Sequence, residues 1–185
     1  MRFLRQHILC LWRKSRLPFG HYIKRKNKEK PMMEDEYYMD AALVKAAEAE
    51  SAGEVPVGAV IVDENGLIIA GACNRTINMS DPTAHAEILA LREAGGRAGN
   101  YRLLNMTLYA TIEPCAMCMG AAVHARLKRV VFGVADPRWG AAGSLFNFSE
   151  KGLFNHYIET TGGVRESECR RIIVDFFRDR RKSGS

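Results

Sequence analysis

Along residues 34–52 the apolar positions recur in threes and fours. Met39, Ala42, Leu43, Ala46 and Ala49 fall on one side of a helical repeat, and Gly53 ends the run. The period then shortens. Val55–Val62 is a β-branched apolar stretch followed by Asp63-Glu64-Asn65-Gly66. Asn-Gly is a strong hairpin turn signal, so Leu67–Cys73 reads as the returning strand. Asp81-Pro82-Thr83 predicts a helix over about 84–94, stopping at Gly95-Gly96. Thr107–Ile112 predicts a third strand. Pro114 is placed at the first position of a helix over 115–125, and Lys128–Val134 is a fourth strand bounded by Asp136-Pro137. A Gly-rich loop at 140–143 leads to a looser region, Tyr157–Thr160 reads as a fifth strand, and residues 166–181 form a closing helix. Cys169, Ile172, Ile173, Phe176 and Phe177 lie on or near the apolar face of that helix.

Strands alternating with helices imply an α/β layered fold with a partly parallel sheet. The strands before and after the helix at 115–125 are expected to be parallel neighbours. No internal repeat and no second domain is visible.

The chain has 185 residues, 47% of them hydrophobic, which suits one domain with a proper core. No apolar run approaches the roughly 18 residues of a membrane span, so no membrane association is expected. The net charge of +6 is unevenly spread: residues 1–30 carry ten Lys or Arg and a single acid, Glu29, whereas the rest of the chain is net acidic by three. The basic segment lacks the continuous apolar core of a secretory signal. It has the Arg content of a transit peptide but little Ser, and it also fits a nucleic-acid arm. Met32 and Met33 stand just before the first convincing helix, which offers a simpler reading, a start at one of them. The expected organisation is therefore a basic extension over 1–33, outside the working fold, and one domain over 34–182. A second basic cluster, Arg165, Arg170, Arg171, Arg178, Arg180, Arg181 and Lys182, fits a nucleic-acid surface and equally a solvated helix face.

The five cysteines are too few and too scattered for a secreted disulfide scaffold; only Cys115 and Cys118 are close together. Three apart at a helix start, their sulfurs share a face where the partial positive charge favours thiolates. His85-Ala86-Glu87 lies upstream, with Cys115 twenty-eight residues after Glu87. Two thiolates and one imidazole suit zinc, and a count of three leaves a fourth position for water, as in catalytic sites. Glu87 adds little to a structural site, but a carboxylate beside an activated water can move protons. His85 and Glu87, two apart, reach one point only if the end of their helix abuts the site. A C-x-x-C pair alone also fits redox chemistry; that reading leaves His85 and Glu87 without a role.

The joint pattern, H-x-E followed by P-C-x-x-C, is the signature of zinc nucleobase deaminases, of which the transfer-RNA adenosine deaminases are a type example. The chain resembles the bacterial tRNA-specific adenosine deaminases, in the cytidine/deoxycytidylate deaminase superfamily, over about residues 35–182. The matching stretches are EVPVGAVIV (54–62), NRT (74–76), DPTAHAEILALREA (81–94), NYRLLNMTLYATIEPCAMCMGAAVHARLKRVVFG (100–133), GAAGS (140–144), NH (155–156) and DFFR (175–178). Trp139 is bulkier than the family pattern at its position.

The resemblance implies a three-layer cytidine-deaminase-like fold, a mixed five-stranded sheet flanked by helices. It implies one Zn2+ per subunit, bound by His85, Cys115 and Cys118, with Glu87 as the catalytic proton shuttle. Asn74 would hydrogen-bond the target nucleoside, the Ala86 N–H would meet the base edge, and Pro56, Val57 and Pro114 would wall the pocket. Asp136, Arg138, Asn155, Phe176, Phe177 and Arg178 would face neighbouring nucleotides of a tRNA anticodon stem-loop. The implied reaction is hydrolytic deamination of adenosine to inosine at the first (wobble) anticodon position, by a cytoplasmic homodimer. Taken alone, Asn74 is a turn residue, Phe176 and Phe177 are core, and Asp136-Pro137 is a turn. The nearest rival is a deaminase of guanine, cytidine or deoxycytidylate with the same metal chemistry, which would need no basic, aromatic closing helix. A catalytically silent RNA-binding subunit would be expected to lack Glu87.

Overall fold

A computed structural model of the chain describes residues 31–183; the basic extension up to residue 30 lies outside the described residues. The elements run α1 (Pro31–Ser51), β1 (Gly58–Val62), β2 (Ile68–Cys73), α2 (Ala86–Ala98), β3 (Thr107–Ile112), α3 (Ala116–His124), β4 (Arg129–Val134), β5 (Glu159–Thr161) and α4 (Glu166–Ser183). The five strands form one mixed sheet in the order β2-β1-β3-β4-β5. β1 is antiparallel to β2 and β3, β3 is parallel to β4, and β4 is parallel to β5. The expected parallel pairing across α3 is present.

Alternation along the strands divides the core into two layers. Ala59, Ile61, Leu108, Val130 and Phe132 face one side, with Ala90, Leu91 and Ala94 of α2 and Met119, Ala122 and Val123 of α3. Val60, Val62, Tyr109 and Val131 face the other, with Met39 and Ala42 of α1 and Cys169 of α4. The result is a helix–sheet–helix sandwich, the expected three-layer fold. Gly58 lets α1 lie directly on β1: a Cβ there would stand 2.0 Å from the Ala42 carbonyl oxygen. A polar contact pins the same helix. Arg129 grips Asp35 with two hydrogen bonds of 2.8 Å, and the Tyr109 hydroxyl donates to the same carboxylate at 2.8 Å.

Several boundaries differ from the sequence pattern. α1 begins at Pro31 rather than 34. β1 begins at Gly58 because the Val57 N–H turns back to the Val55 carbonyl, 2.8 Å away. α2 does not stop at Gly95-Gly96; it runs to Ala98 and ends at Gly99, whose φ is 59°. Arg97 holds that last turn, paired with Glu93 at 2.6 Å and donating to the Ile69 carbonyl at 2.8 Å. Those tethers outweigh the cost of two helical glycines, about 1 kcal/mol each. Pro114 does not occupy the first helical position. Cys115, extended at φ −71° and ψ 174°, is the N-cap, and Pro114 precedes it.

Candidate metal centre and active site

Two helix starts meet at one point. His85 is the N-cap of α2, extended at φ −70° and ψ 149°, and Cys115 is the N-cap of α3. Cys118 lies one turn further along α3 and is fully buried. The His85 Nδ1 atom is 3.8 Å from Cys115 Sγ and 3.6 Å from Cys118 Sγ, and the two sulfurs are 3.7 Å apart. Tetrahedral zinc with bonds of about 2.3 Å to sulfur and about 2.0 Å to nitrogen requires sulfurs about 3.8 Å apart and sulfur–nitrogen separations of about 3.5 Å. The donor set therefore fits zinc in identity and in spacing. Among the described residues it is the group of His, Cys, Asp and Glu side chains close enough to share an ion. The Cys115 thiol is pulled down to about 4 by the hydrogen bond from Cys118, against the effect of burial and with help from His85. The Cys118 proton is held by that bond to Cys115 and by burial.

Glu87 follows at the second position of α2. Glu87 is 2% exposed, and its buried Oε2 has no hydrogen-bond partner. Burial raises its pKa, while backbone hydrogen bonding and the neighbouring His85 oppose that rise. A buried carboxyl group with a free oxygen beside three metal donors is suited to holding and passing a proton. Because the helix end itself abuts the cluster, His85 and Glu87 reach one point although they are two residues apart.

Residues 32–134 match the family model of the cytidine and deoxycytidylate deaminase zinc-binding region. The tRNA-specific adenosine deaminase of Haemophilus influenzae is 51% identical over 148 residues, spanning 80% of this chain and 86% of that one. The chain belongs to the tRNA-specific adenosine deaminase family. Its Bacillus subtilis relative is 47% identical over 151 residues, spanning 82% of this chain and 93% of that one. A solved structure from work on A-to-I editing by tRNA deaminases at the wobble position of transfer RNA superposes with a TM-score of 0.69 at 42% identity. That superposition covers 74% of this chain and 98% of the other.

The remaining candidates of this family member are distributed as follows. Asn74 is buried, and its Oδ1 accepts the Ala86 N–H at 2.8 Å. The Ala86 N–H, expected at the base edge, is thus directed at Asn74, whose side chain caps the start of α2. Pro56, Val57 and Pro114 are buried. Asp136 does form a turn, its Oδ1 accepting the N–H groups of Arg138 at 2.9 Å and Trp139 at 3.3 Å. Arg138 shares a cleft with Ile173, Val174, Phe177, Arg180 and Arg181 of α4. Phe176 is half-buried under the Arg180 guanidinium, 5.0 Å from its ring centre, while Phe177 is 46% exposed. Arg178 is tied to Asp175 at 2.8 Å. Asn155 lines a different cleft, with Tyr101, His124 and Arg126, and its carbonyl accepts from Arg126 at 2.9 Å.

Two carboxylates escaped the sequence reading. Glu54 is fully buried, and its oxygens accept from Thr76, from the Ile77 N–H, and from both the backbone and side-chain N–H of Asn78, at 2.7 to 3.2 Å. It holds the loop that starts at Asn74. Glu113, buried just before Pro114, gathers the 136–144 loop in the same way. An acid at the edge of an apolar strand, as in EVPVGAVIV and TIEPC, was the signal available for both.

Proposed function

We infer that this chain is a zinc-dependent hydrolase that converts adenosine to inosine at the wobble position of tRNA, releasing ammonia. The observation that carries the chemistry is Glu87: a buried carboxyl with an unpartnered oxygen beside a His, Cys, Cys triad spaced for zinc. The family relatives carry the choice of substrate. Held by His85, Cys115 and Cys118, zinc supplies a Lewis acid that makes water nucleophilic near neutral pH. Glu87 takes a proton from the attacking water and delivers it to N1 of the purine, which leaves C6 electron-poor. The water oxygen bonds to C6, Glu87 relays that oxygen's remaining proton to the 6-amino group, and the C6–N bond breaks to release ammonia and leave the 6-oxo purine of inosine. Asn74 presents its Nδ2 to the nucleoside, since Oδ1 is engaged by Ala86. Pro56, Val57 and Pro114 wall the pocket. The target base must be flipped from its stack, which costs least in an unpaired loop.

Arg138, Trp139, Phe177 and Arg178 face the nucleotides around the target, with Asp136 shaping their loop. Asn155, in its separate cleft, is assigned to RNA carried on a second copy of the chain. We take the enzyme to be a homodimer; exposed Tyr101, Phe146, Leu153 and Phe154 offer an apolar surface for that contact. A cytoplasmic location suits a tRNA substrate and the unpaired state of Cys73, Cys115, Cys118 and Cys169. Among the described residues no helix is long and apolar enough to cross a membrane. The working domain is assigned to 34–182, with 1–33 dispensable for folding. Incubating the protein with a tRNA pool and sequencing for adenosine read as guanosine tests the assignment. Unchanged wobble adenosines would refute it.

A further inference from the structure

The segment 136–144 is folded around one buried carboxylate. Glu113 Oε1 accepts the N–H groups of Ala142 at 2.9 Å and Ser144 at 3.0 Å. Oε2 accepts the Asp136 N–H at 3.0 Å and the Ser144 hydroxyl. The same segment lies on the metal turn: the Ala141 N–H donates to the Pro114 carbonyl at 2.9 Å, and Gly140 pairs with Cys115. Gly140 packs against the carboxylate itself, where a Cβ would stand 2.4 Å from Glu113 Cδ. Gly140-Ala141-Ala142-Gly143 packs only the Ala141 and Ala142 methyls into the core, which seats the middle of the loop without fixing its ends. Charge-assisted hydrogen bonds from both ends of the loop to one carboxylate therefore set its course.

That course decides where Arg138 and Trp139 stand. The Asp136 N–H is anchored on Glu113, and the Asp136 carboxylate in turn caps the N–H groups of Arg138 and Trp139. Arg138 opens into the cleft shared with Phe177 and Arg180, and Trp139 is 71% exposed. We propose that Glu113 is a positioning residue for substrate recognition: it locks the 136–144 loop to the metal turn and so sets the register in which Arg138 and Trp139 meet the nucleotides flanking the target base. The inference rests on the tRNA reading above and adds to it the residue that holds the recognition loop.

The test compares zinc-loaded full-length wild type, Glu113→Gln and Ser144→Ala. Each is assayed for kcat and KM on the native anticodon stem-loop and on one with scrambled loop neighbours, for zinc content, and for amide exchange. Gln keeps the size but turns an amide N–H toward donors. Glu113→Gln is expected to raise KM for the native loop about tenfold, the scale of one lost charge-assisted hydrogen bond. It should change kcat by less than about threefold, keep its zinc, and narrow the gap between native and scrambled loops. The Ala142 and Ser144 amides should exchange faster, while Met119 in α3 stays protected. KM does not depend on how much protein is folded, so a merely structural carboxylate would leave it unmoved. An unchanged KM, with zinc or thermal stability reduced, overturns the proposal. Should Glu113→Gln not fold, Ser144→Ala decides. It removes one donor at an exposed position while Oε2 keeps the Asp136 N–H, so KM should rise about threefold and Tm fall by no more than about 4 °C. Unchanged KM and exchange there also overturn the proposal. The wild-type arm is run with free guanine as well: a preference for guanine defeats the tRNA reading, while the amide-exchange arm still reports whether Glu113 holds the loop.

Discussion

Asn74 does two things through one amide, and substitution can separate them. Its Oδ1 accepts the N–H of Ala86, the first residue of α2, at 2.8 Å, and Ala86 is fully buried. The N-cap residue His85 makes no side-chain capping bond, so Asn74 takes over that task from outside the helix. Its Nδ2 donates to no atom among the described residues and is available to the nucleoside. Asn74→Ala strands a buried N–H, which costs about 1–3 kcal/mol. For a domain of this size each kcal/mol lowers Tm by about 2–4 °C, so the fall should be about 2–12 °C. Asn74→Asp keeps the acceptor, and its charge is favourable at a helix N-terminus. It should therefore stay within about 2 °C of wild type. It loses the donor, however, and kcat/KM on a stem-loop should fall by about tenfold to a hundredfold. Calorimetry and steady-state kinetics on the three proteins make the comparison. An unperturbed Tm in Asn74→Ala would refute the capping role. Full kcat/KM in Asn74→Asp would refute the contact through Nδ2.

Cys115→Ser or His85→Ala should lose bound zinc by elemental analysis, since each removes one of three donors. Glu87→Ala should keep the metal and the fold but lose turnover by about a thousandfold, the scale of general acid–base catalysis. The Glu54 carboxyl lies below its ordinary value of 4.5: burial opposes the charge, but hydrogen bonds from Asn78, Ile77 and Thr76 prevail. A depressed folded pKa adds stability that is present above 4.5 and is lost as the pH falls through the folded value, so the advantage of wild type over Glu54→Gln in urea unfolding should shrink below that pH. An advantage that instead grew on acidification would contradict the hydrogen bonding described for Glu54. Gly58→Ala drives a Cβ to within 2.0 Å of the Ala42 carbonyl oxygen and 2.4 Å of the Ala46 nitrogen. It should cost about 3 kcal/mol or more in denaturant unfolding, as α1 is forced off β1.

Helical period located the helices, which commit one face to a core layer, whereas the central strands bury both faces and were legible as β-branched apolar runs between turn signals. The metal donors were legible for a different reason: zinc chemistry restricts residue type, and helix starts restrict spacing. Errors arose where distant contacts overrode local preference. Gly95-Gly96 reads as a stop, yet the bond from Arg97 to Ile69, twenty-eight residues back, carries α2 onward. Pro114 suits a first helical position, yet pairing of Cys115 with Gly140 keeps the chain extended one residue longer. Glu54 and Glu113 left only a faint trace, an acid at the edge of an apolar strand, because half of Glu54's partners and most of Glu113's are backbone N–H groups, which carry no residue signature. The Asp35–Arg129 contact joins positions ninety-four residues apart and has no local trace. Asp136 shows the converse. Its reading as a turn residue and its place in a recognition loop are compatible, because the turn it caps is what aims Arg138.

Substrate choice is the central claim, and a single comparison of kcat/KM tests it. The zinc-loaded protein is assayed on an anticodon stem-loop with adenosine at the first anticodon position, on the same stem-loop with scrambled neighbours, and on free adenosine, guanine and cytidine. The native loop should be the best substrate and the scrambled loop a poor one. Free adenosine should be inert, because it forgoes the flanking contacts that help place the base at the reacting centre. A free base or nucleoside that outperforms the native loop would leave the metal chemistry standing and contradict the tRNA assignment.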